Sequence, residues 1–230
     1  MEDTNNIENI TFTEKLKNFF IHPIQIFAQY NKKRFYALKL LIILIITAMY
    51  GAVQSIMAKP YLQKYYDDLT KNMSSDQASI VKSTTSVISS IPVIIITTII
   101  IALITIFIAS FVYMLFIKAA KGKIKYGQVV SIYTTAYMAT VIGLIIKILY
   151  MLISKKPMNI SAQTNPNYIN TILKSYDIFT IWQWVLMAIG ISTVAKISKK
   201  KSAIIVIILA LILICIVVVP LMLKNNKRLL

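Results

Sequence analysis

Long hydrophobic runs alternate with short polar segments along the chain. Five of these runs contain about the 20 consecutive apolar residues that a helix needs to cross the hydrocarbon of a bilayer. We place them at 36–57, 91–117, 129–153, 178–197 and 203–223. Since the runs use most of the chain, the pattern predicts an all-α, polytopic integral membrane protein with five transmembrane helices.

The segment before the first run, residues 1–35, predicts short interfacial helices. Apolar residues recur at helical spacing from Phe12 to Phe20, and Pro23 suits the first turn of a second short helix that carries Phe27. We expect this cytoplasmic amphipathic arm to rest on the inner leaflet, with partner docking as its alternative role.

Two further segments lie outside the predicted spans. Between the first two runs we expect an amphipathic helix with Leu62, Tyr65, Leu69 and Met73 on one face, followed by a loop from Ser74 to Ser90. Residues 224–230 form a short basic tail.

Small and hydroxyl residues occur in four of the five runs, in the first two at spacings of three or four. Because lipid tails are as apolar as leucine side chains, spans associate through close backbone approach and interhelical hydrogen bonds, which such residues permit. The fifth run is nearly uniform Ile, Leu and Val, and we therefore expect it at the edge of the bundle. The stripes in the first four runs include Thr47 and Gly51; Thr98 and Ala102; Ser131, Thr135 and Gly143; and Ala188 and Gly190.

Charge then gives an orientation. The formal net charge is +17, but the basic residues cluster beside the apolar runs and form no stripe on a water-soluble face, which excludes nucleic acid as the partner. Two short loops contain four lysines each and no acid, at 118–125 and 196–201. Cytoplasmic loops are rich in lysine, so we expect a multi-pass protein of the cell membrane with its N-terminus cytoplasmic and its C-terminus outside.

Candidate chemistry is sparse. The predicted spans contain no Asp or Glu, the single histidine lies in the arm, and the five glycines form no phosphate-binding loop. We therefore predict a protein that is not an enzyme and has no cofactor or metal site. Two lysines, Lys39 and Lys147, lie at membrane depth within the predicted spans. We expect both amines to extend to the interface, with a place on a solute path as the alternative for Lys147.

The start of the fourth run combines an acid with two tryptophans. Asp177 is the last polar residue before the run, where its side chain can cap the free N–H groups of a helix. Trp182 and Trp184 should lie in the outer interfacial belt and fix the depth of the span.

This stretch also resembles the Yip family, small five-span membrane proteins named for members that interact with Ypt/Rab GTPases. Matching positions include Asp177, Phe179, Trp182 and Gly190, and Pro23 and Phe27 are similar to the short proline-containing segment before the first span in bacterial relatives. The resemblance implies a cytoplasmic N-terminus and no catalytic residues. It also implies a bacterial branch in which some members are encoded beside ATP-driven exporters and support them.

Two functional hypotheses follow. The first is a non-enzymatic membrane scaffold or accessory subunit that lies in the lipid bilayer and binds another membrane protein complex, such as an ABC-type exporter. The second is a small-solute or lipid transporter with Lys147 and the hydroxyls of the third span on its path. The absence of any broken pair of short spans weighs against the second.

Overall fold

The computed structural model describes residues 17, 19–31, 36–158 and 176–226. The secondary structure of these residues is helical. Within these described ranges, a short helix near the N-terminus is followed by a 3-10 turn at Gln29–Asn31 and then by six longer helices. The helices are α1 (Pro23–Ala28), α2 (Ala37–Thr70), α3 (Ser75–Ile88), α4 (Ile91–Ala119), α5 (Tyr126–Ser154), α6 (Ile178–Ala195) and α7 (Lys199–Asn226).

Five of the helices are long and apolar enough to cross a membrane, namely α2, α4, α5, α6 and α7. The predicted all-α fold with five spanning helices is therefore confirmed. Along the bundle, α4 packs on α2, α2 on α5, α5 on α6 and α6 on α7, while α5 also contacts α4. Helix α7 contacts mainly α6, which agrees with its expected place at the edge.

The segment between the first two spans differs from the prediction. Helix α2 continues without a break through Pro60 to Thr70, so it is longer than the apolar run that begins it. The stretch predicted as a loop forms helix α3, because Ser74 and Gln77 make a reciprocal capping box at its start. The Ser83 and Ser86 hydroxyls donate to carbonyls three residues earlier, which satisfies these hydroxyls within a helix.

Different contacts connect the helices at the two ends of the bundle. At one end, which we call the lysine end, the backbone N–H of Lys123 donates to the Ala195 carbonyl at 3.3 Å and joins the two lysine-rich loops. At the other end, the Asp177 end, helix α6 begins and α2 continues into the α2–α3 hairpin. The side chain of Gln54 accepts from the Met158 N–H and donates to its carbonyl, tying α2 to the segment after α5.

Glycines mark where helices approach most closely. A Cβ placed on Gly51 would lie 3.0 Å from the Thr98 hydroxyl oxygen, and one on Gly143 would lie 2.7 Å from the ring of Phe179. The predicted small-residue stripes are thus used for packing within the chain.

Candidate functional site

The N-terminal segment, residues 19–31, packs on the bundle with part of its surface and leaves the rest exposed. A Cβ added to Gly190 of α6 would lie 2.9 Å from the Phe27 ring and 2.5 Å from Ile132 of α5, so Phe27 fills the space that glycine leaves. Pro23 and Phe27 are both buried, and Phe27 is only 1% exposed. The sequence predicted this short helix on the inner leaflet and did not anticipate that Phe27 packs on α6; its position relative to the leaflet stays a prediction. The earlier part of the predicted arm, from Phe12, lies largely outside the described residues.

Tyr30 fastens the same segment to α5 by a chain of hydrogen bonds. Thr135 donates to the Ser131 carbonyl at 2.7 Å, so the Tyr30 hydroxyl is the donor in its 2.6 Å bond to Thr135. Lys39 then donates to Tyr30 at 2.6 Å, and Gln128 donates to the Tyr30 carbonyl at 3.0 Å. Both the side chain and the backbone of Tyr30 are therefore held.

Asp177 has two roles at the opposite end. Its carboxylate accepts hydrogen bonds from the Thr180 N–H at 2.9 Å and from the Thr180 hydroxyl at 3.0 Å, which confirms the predicted helix cap. The same carboxylate lies 2.5 Å from the Lys147 amine. Sequence reasoning treated Lys147 and Asp177 separately and missed this pair.

Both members of the pair are largely shielded, with side chains 24% exposed. Partial burial alone would raise the pKa of Asp177. The hydrogen bonds from Lys147 and Thr180 outweigh that effect and hold the pKa below the ordinary value of 3.8. The carboxylate is therefore ionised near neutral pH, and it joins α5 to α6.

The aromatic residues at the start of α6, Phe179, Trp182 and Trp184, contact different neighbours. Phe179 packs on Gly143, and Trp184 contacts Tyr176 with ring centroids 5.4 Å apart, near Asp177. Trp182 instead stacks on Phe20 of the N-terminal segment, with centroids 6.4 Å apart and ring planes 13° from parallel. The Trp182 ring therefore contacts the N-terminal segment, a role beyond the predicted marker of membrane depth.

The sequence analysis also did not predict a polar pair in the middle of the bundle. The side chains of Thr140 on α5 and Gln183 on α6 share a hydrogen bond of 2.5 Å, and Gln183 is 7% exposed. The signal was present in the sequence, because a glutamine between two tryptophans within an apolar run needs a partner in a membrane.

These contacts link six of the seven candidate residues in two groups. Phe27 meets Gly190 and is joined to Pro23 in the same helix, while Asp177 pairs with Lys147 and precedes Phe179.

Within the described part of the chain, no three His, Cys, Asp or Glu residues are grouped to hold a metal ion. The hydroxyls of Thr134 and Thr135 donate to carbonyls of their own helix, so the geometry favours packing over a solute path along α5.

Comparison with known proteins agrees with this arrangement. Residues 17–221 match the Yip1 domain, which covers the docked N-terminal segment and all five spanning helices. No curated protein and no solved structure matches the chain. The matched segment is most of the chain, and the protein therefore belongs to the Yip1 domain family of membrane proteins.

Proposed function

We propose that this protein is a non-enzymatic scaffold or accessory subunit of the cell membrane, with a cytoplasmic N-terminus and an outward C-terminus. Its partner is another membrane protein complex, and an ATP-driven exporter is the candidate. One observation carries the proposal. Polar side chains lie exposed on the face of the N-terminal segment that points away from the bundle, beside spanning helix α6.

The segment is held at a fixed depth along α6. Phe20 stacks on Trp182, and Phe27 packs on Gly190, so residues 22–25 lie beside the stretch of α6 between those two positions. Gly190 is five residues from the end of α6 at Ala195, and Trp182 is thirteen. At a rise of about 1.5 Å per residue, the segment lies roughly 8 to 20 Å from that end, within the thickness of the hydrocarbon.

At this depth the polar residues need partners. His22 and Gln25 are exposed, and their side chains have no hydrogen-bond partner among the described residues. A polar side chain left facing lipid tails costs free energy, and such groups usually face a protein neighbour or a water-filled space. A second membrane protein that supplies hydrogen-bonding groups here would remove that cost.

The remaining surface of the segment supports a protein contact as well. Phe20, Ile21 and Ile24 are 45%, 58% and 51% exposed and flank the two polar residues. A mixed apolar and polar strip on a fixed support resembles a protein interface more closely than a lipid-facing surface. The small-residue faces, by contrast, are used in packing within the chain and leave the strip as the contact we favour.

Site-specific photocrosslinking in native membranes tests this proposal. A photoreactive residue is placed at His22 or at Gln25, and as a matched control at Ile153, which is 83% exposed at the other end of α5. We expect one membrane protein to be crosslinked from positions 22 and 25 and not from 153. Crosslinking to lipid alone from all three positions would contradict the proposal.

Deleting the segment would be a poor substitute for this experiment. Removal of residues 1–30 also removes Phe27 and Tyr30 from the core, so a lost partner would report a damaged bundle. The double variant His22→Leu/Gln25→Leu leaves these anchors in place. We expect it to reduce the yield of the partner in affinity purification while the melting temperature of the purified protein stays unchanged.

A further inference from the structure

The lysine end carries a concentrated positive surface that the proposed function does not use. Two loops supply eight lysines, every one of which is exposed. The Lys123 N–H to Ala195 carbonyl bond holds the loops together, and a Cβ on Gly122 would lie 3.1 Å from Ile197. We call this surface the lysine face: Lys118, Lys121, Lys123, Lys125, Lys196, Lys199, Lys200 and Lys201.

The lysine face has no acidic residues of its own. Neither loop contains Asp or Glu. The ion pairs found among the described residues involve other lysines, namely Lys71, Lys82 and Lys147, none of which belongs to this face. The repulsion among eight cations is therefore not relieved within the described part of the chain.

The helix dipoles favour some of these eight lysines and oppose others. Lys118 and Lys196 lie at the carboxyl ends of α4 and α6, where a cation suits the negative end of the helix dipole. Lys125 is the N-cap of α5, and Lys199 to Lys201 form the first turn of α7, where a cation meets the positive end. Four of the eight lysines thus lie where the helices themselves oppose positive charge. A bound anion would reverse that effect.

The surface also has a concave part that fits a small anionic group. Lys118, Lys123, Lys125 and Gln128 line a shallow depression at the start of α5. Its floor is firm, because Ile124 is 8% exposed and the Gln128 side chain is bonded to both Lys125 and Tyr30. Three lysines that line one depression suit the phosphate of a headgroup.

We propose that the lysine face binds the headgroup phosphate of an anionic phospholipid in the leaflet that contacts this end of the bundle, with the depression beside Lys123 as its central site. This binding is independent of any protein partner. A general attraction of scattered lysines to the membrane would need neither the contact between the loops nor the concave site.

Native mass spectrometry of the full chain tests the proposal. The protein is purified in detergent and titrated with phosphatidylglycerol or with phosphatidylcholine, and the bound lipid is counted. The test variant is Lys118→Gln/Lys123→Gln/Lys125→Gln. The control variant, Lys59→Gln/Lys155→Gln/Lys156→Gln, removes the same charge from exposed lysines outside the lysine face. Melting temperatures establish that both variants are folded.

We expect saturable binding of phosphatidylglycerol and little binding of phosphatidylcholine. At about fivefold per lysine, the test variant should bind phosphatidylglycerol on the order of 100-fold more weakly, with little change in the control variant. Equal weakening in both variants would mean a general charge effect and would overturn the site. Displacement of the lipid by millimolar inorganic phosphate at matched ionic strength would overturn the lipid as the ligand and assign the face to soluble phosphate.

Discussion

Helices α5 and α6 are the least hydrophobic of the five spanning helices, yet a larger share of their residues is buried than in α4 or α7, the two most hydrophobic. Hydropathy therefore does not predict burial, since α2 and α4 also differ in mean hydropathy although equally little of each helix is buried. In water the most apolar helix would be expected at the centre. In a bilayer, lipid accepts apolar side chains as readily as protein does, and hydropathy alone gives no preference for the interior.

Polar and small residues make the difference between centre and edge. On α5 the buried residues include Ser131, Thr134 and Thr135, each at most 2% exposed, and their hydroxyls are satisfied by carbonyls of the same helix. On α7 the polar contact is the bond from Ser202 to the Ala188 carbonyl of α6. Small residues that permit close approach, with hydroxyls satisfied within their own helix, thus place a span at the centre.

The largest expected effect comes from the same substitution made at a tightly packed glycine, Gly190, and at a less tightly packed one, Gly51. In Gly190→Ala the new methyl would lie 2.5 Å from Ile132 and 2.9 Å from the Phe27 ring, whereas in Gly51→Ala it would meet the Thr98 hydroxyl at 3.0 Å. Both changes gain the same helix propensity. Overpacking should still lower the free energy of unfolding of Gly190→Ala by about 1–3 kcal/mol, while Gly51→Ala changes by less than about 0.5 kcal/mol. Equilibrium unfolding in mixed micelles measures both, and equal losses would contradict the distinction.

Much of this architecture could be predicted from the sequence, because lipid imposes simple requirements on it. The five spans, the cap at Asp177 and the edge position of α7 follow from run length, helix-end chemistry and the lack of small residues. The capping pair Ser74 and Gln77 is also visible in the sequence, but the surrounding Ser and Thr residues favour a loop. In the structure, hydroxyls such as that of Ser83 bond to the helix backbone instead.

Contacts between distant segments could not be predicted in the same way. The pattern of Phe27 and Tyr30 indicates an amphipathic helix. The apolar face of such a helix can be buried equally well by lipid or by protein. Only the space above Gly190 and the hydroxyl of Thr135 decide in favour of the bundle. The pair of Lys147 and Asp177 likewise depends on the register between α5 and α6, which no single run reveals.

The second prediction concerns the ion pair that joins the two central helices. Asp177→Asn keeps a good helix cap and removes the charge that faces Lys147, so it should lower the free energy of unfolding by about 1–2 kcal/mol at pH 7. Since the pKa of Asp177 is lowered in the folded protein, the stabilisation is complete above its ordinary value of 3.8 and is lost as the pH falls through the lower folded value.

Thermal unfolding in detergent from pH 7 to pH 3 measures this effect. The difference in stability between wild type and Asp177→Asn should be constant down to about pH 4 and then shrink. Taking the difference removes the contribution of the other carboxylates, which are the same in both proteins. A difference that did not change with pH would show that the charge of Asp177 contributes nothing.

The third prediction tests the hydrogen bond at the centre of the bundle. Thr140→Val and Gln183→Leu each remove one partner of the 2.5 Å contact, and the double variant completes a thermodynamic cycle. We expect a coupling energy of about 0.6 kcal/mol, with about 1.7 kcal/mol as the upper end for such bonds in membranes. Thr105→Val on α4, where the residue is exposed, is the control and should change little. No coupling would leave close packing alone as the reason for the central place of α5 and α6.

The smallest effect is expected at the end of α5, beyond the buried contacts. Lys155 is the exposed C-cap residue of α5 and has a φ of 52°, in the left-handed region that a residue with a Cβ adopts at a cost of about 1–2 kcal/mol. Lys155→Gly removes that cost but also loses a cation at the negative end of the helix dipole, which is worth about 0.3–1 kcal/mol. The net result should be a gain of about 0.5–1 kcal/mol in the free energy of unfolding. Lys155→Ala, which loses the charge and keeps the Cβ, should be slightly destabilised in the same titration. If the glycine variant were also destabilised, the charge at this helix end would outweigh backbone strain, and the ends of the central helices would contribute more to stability than their exposure indicates.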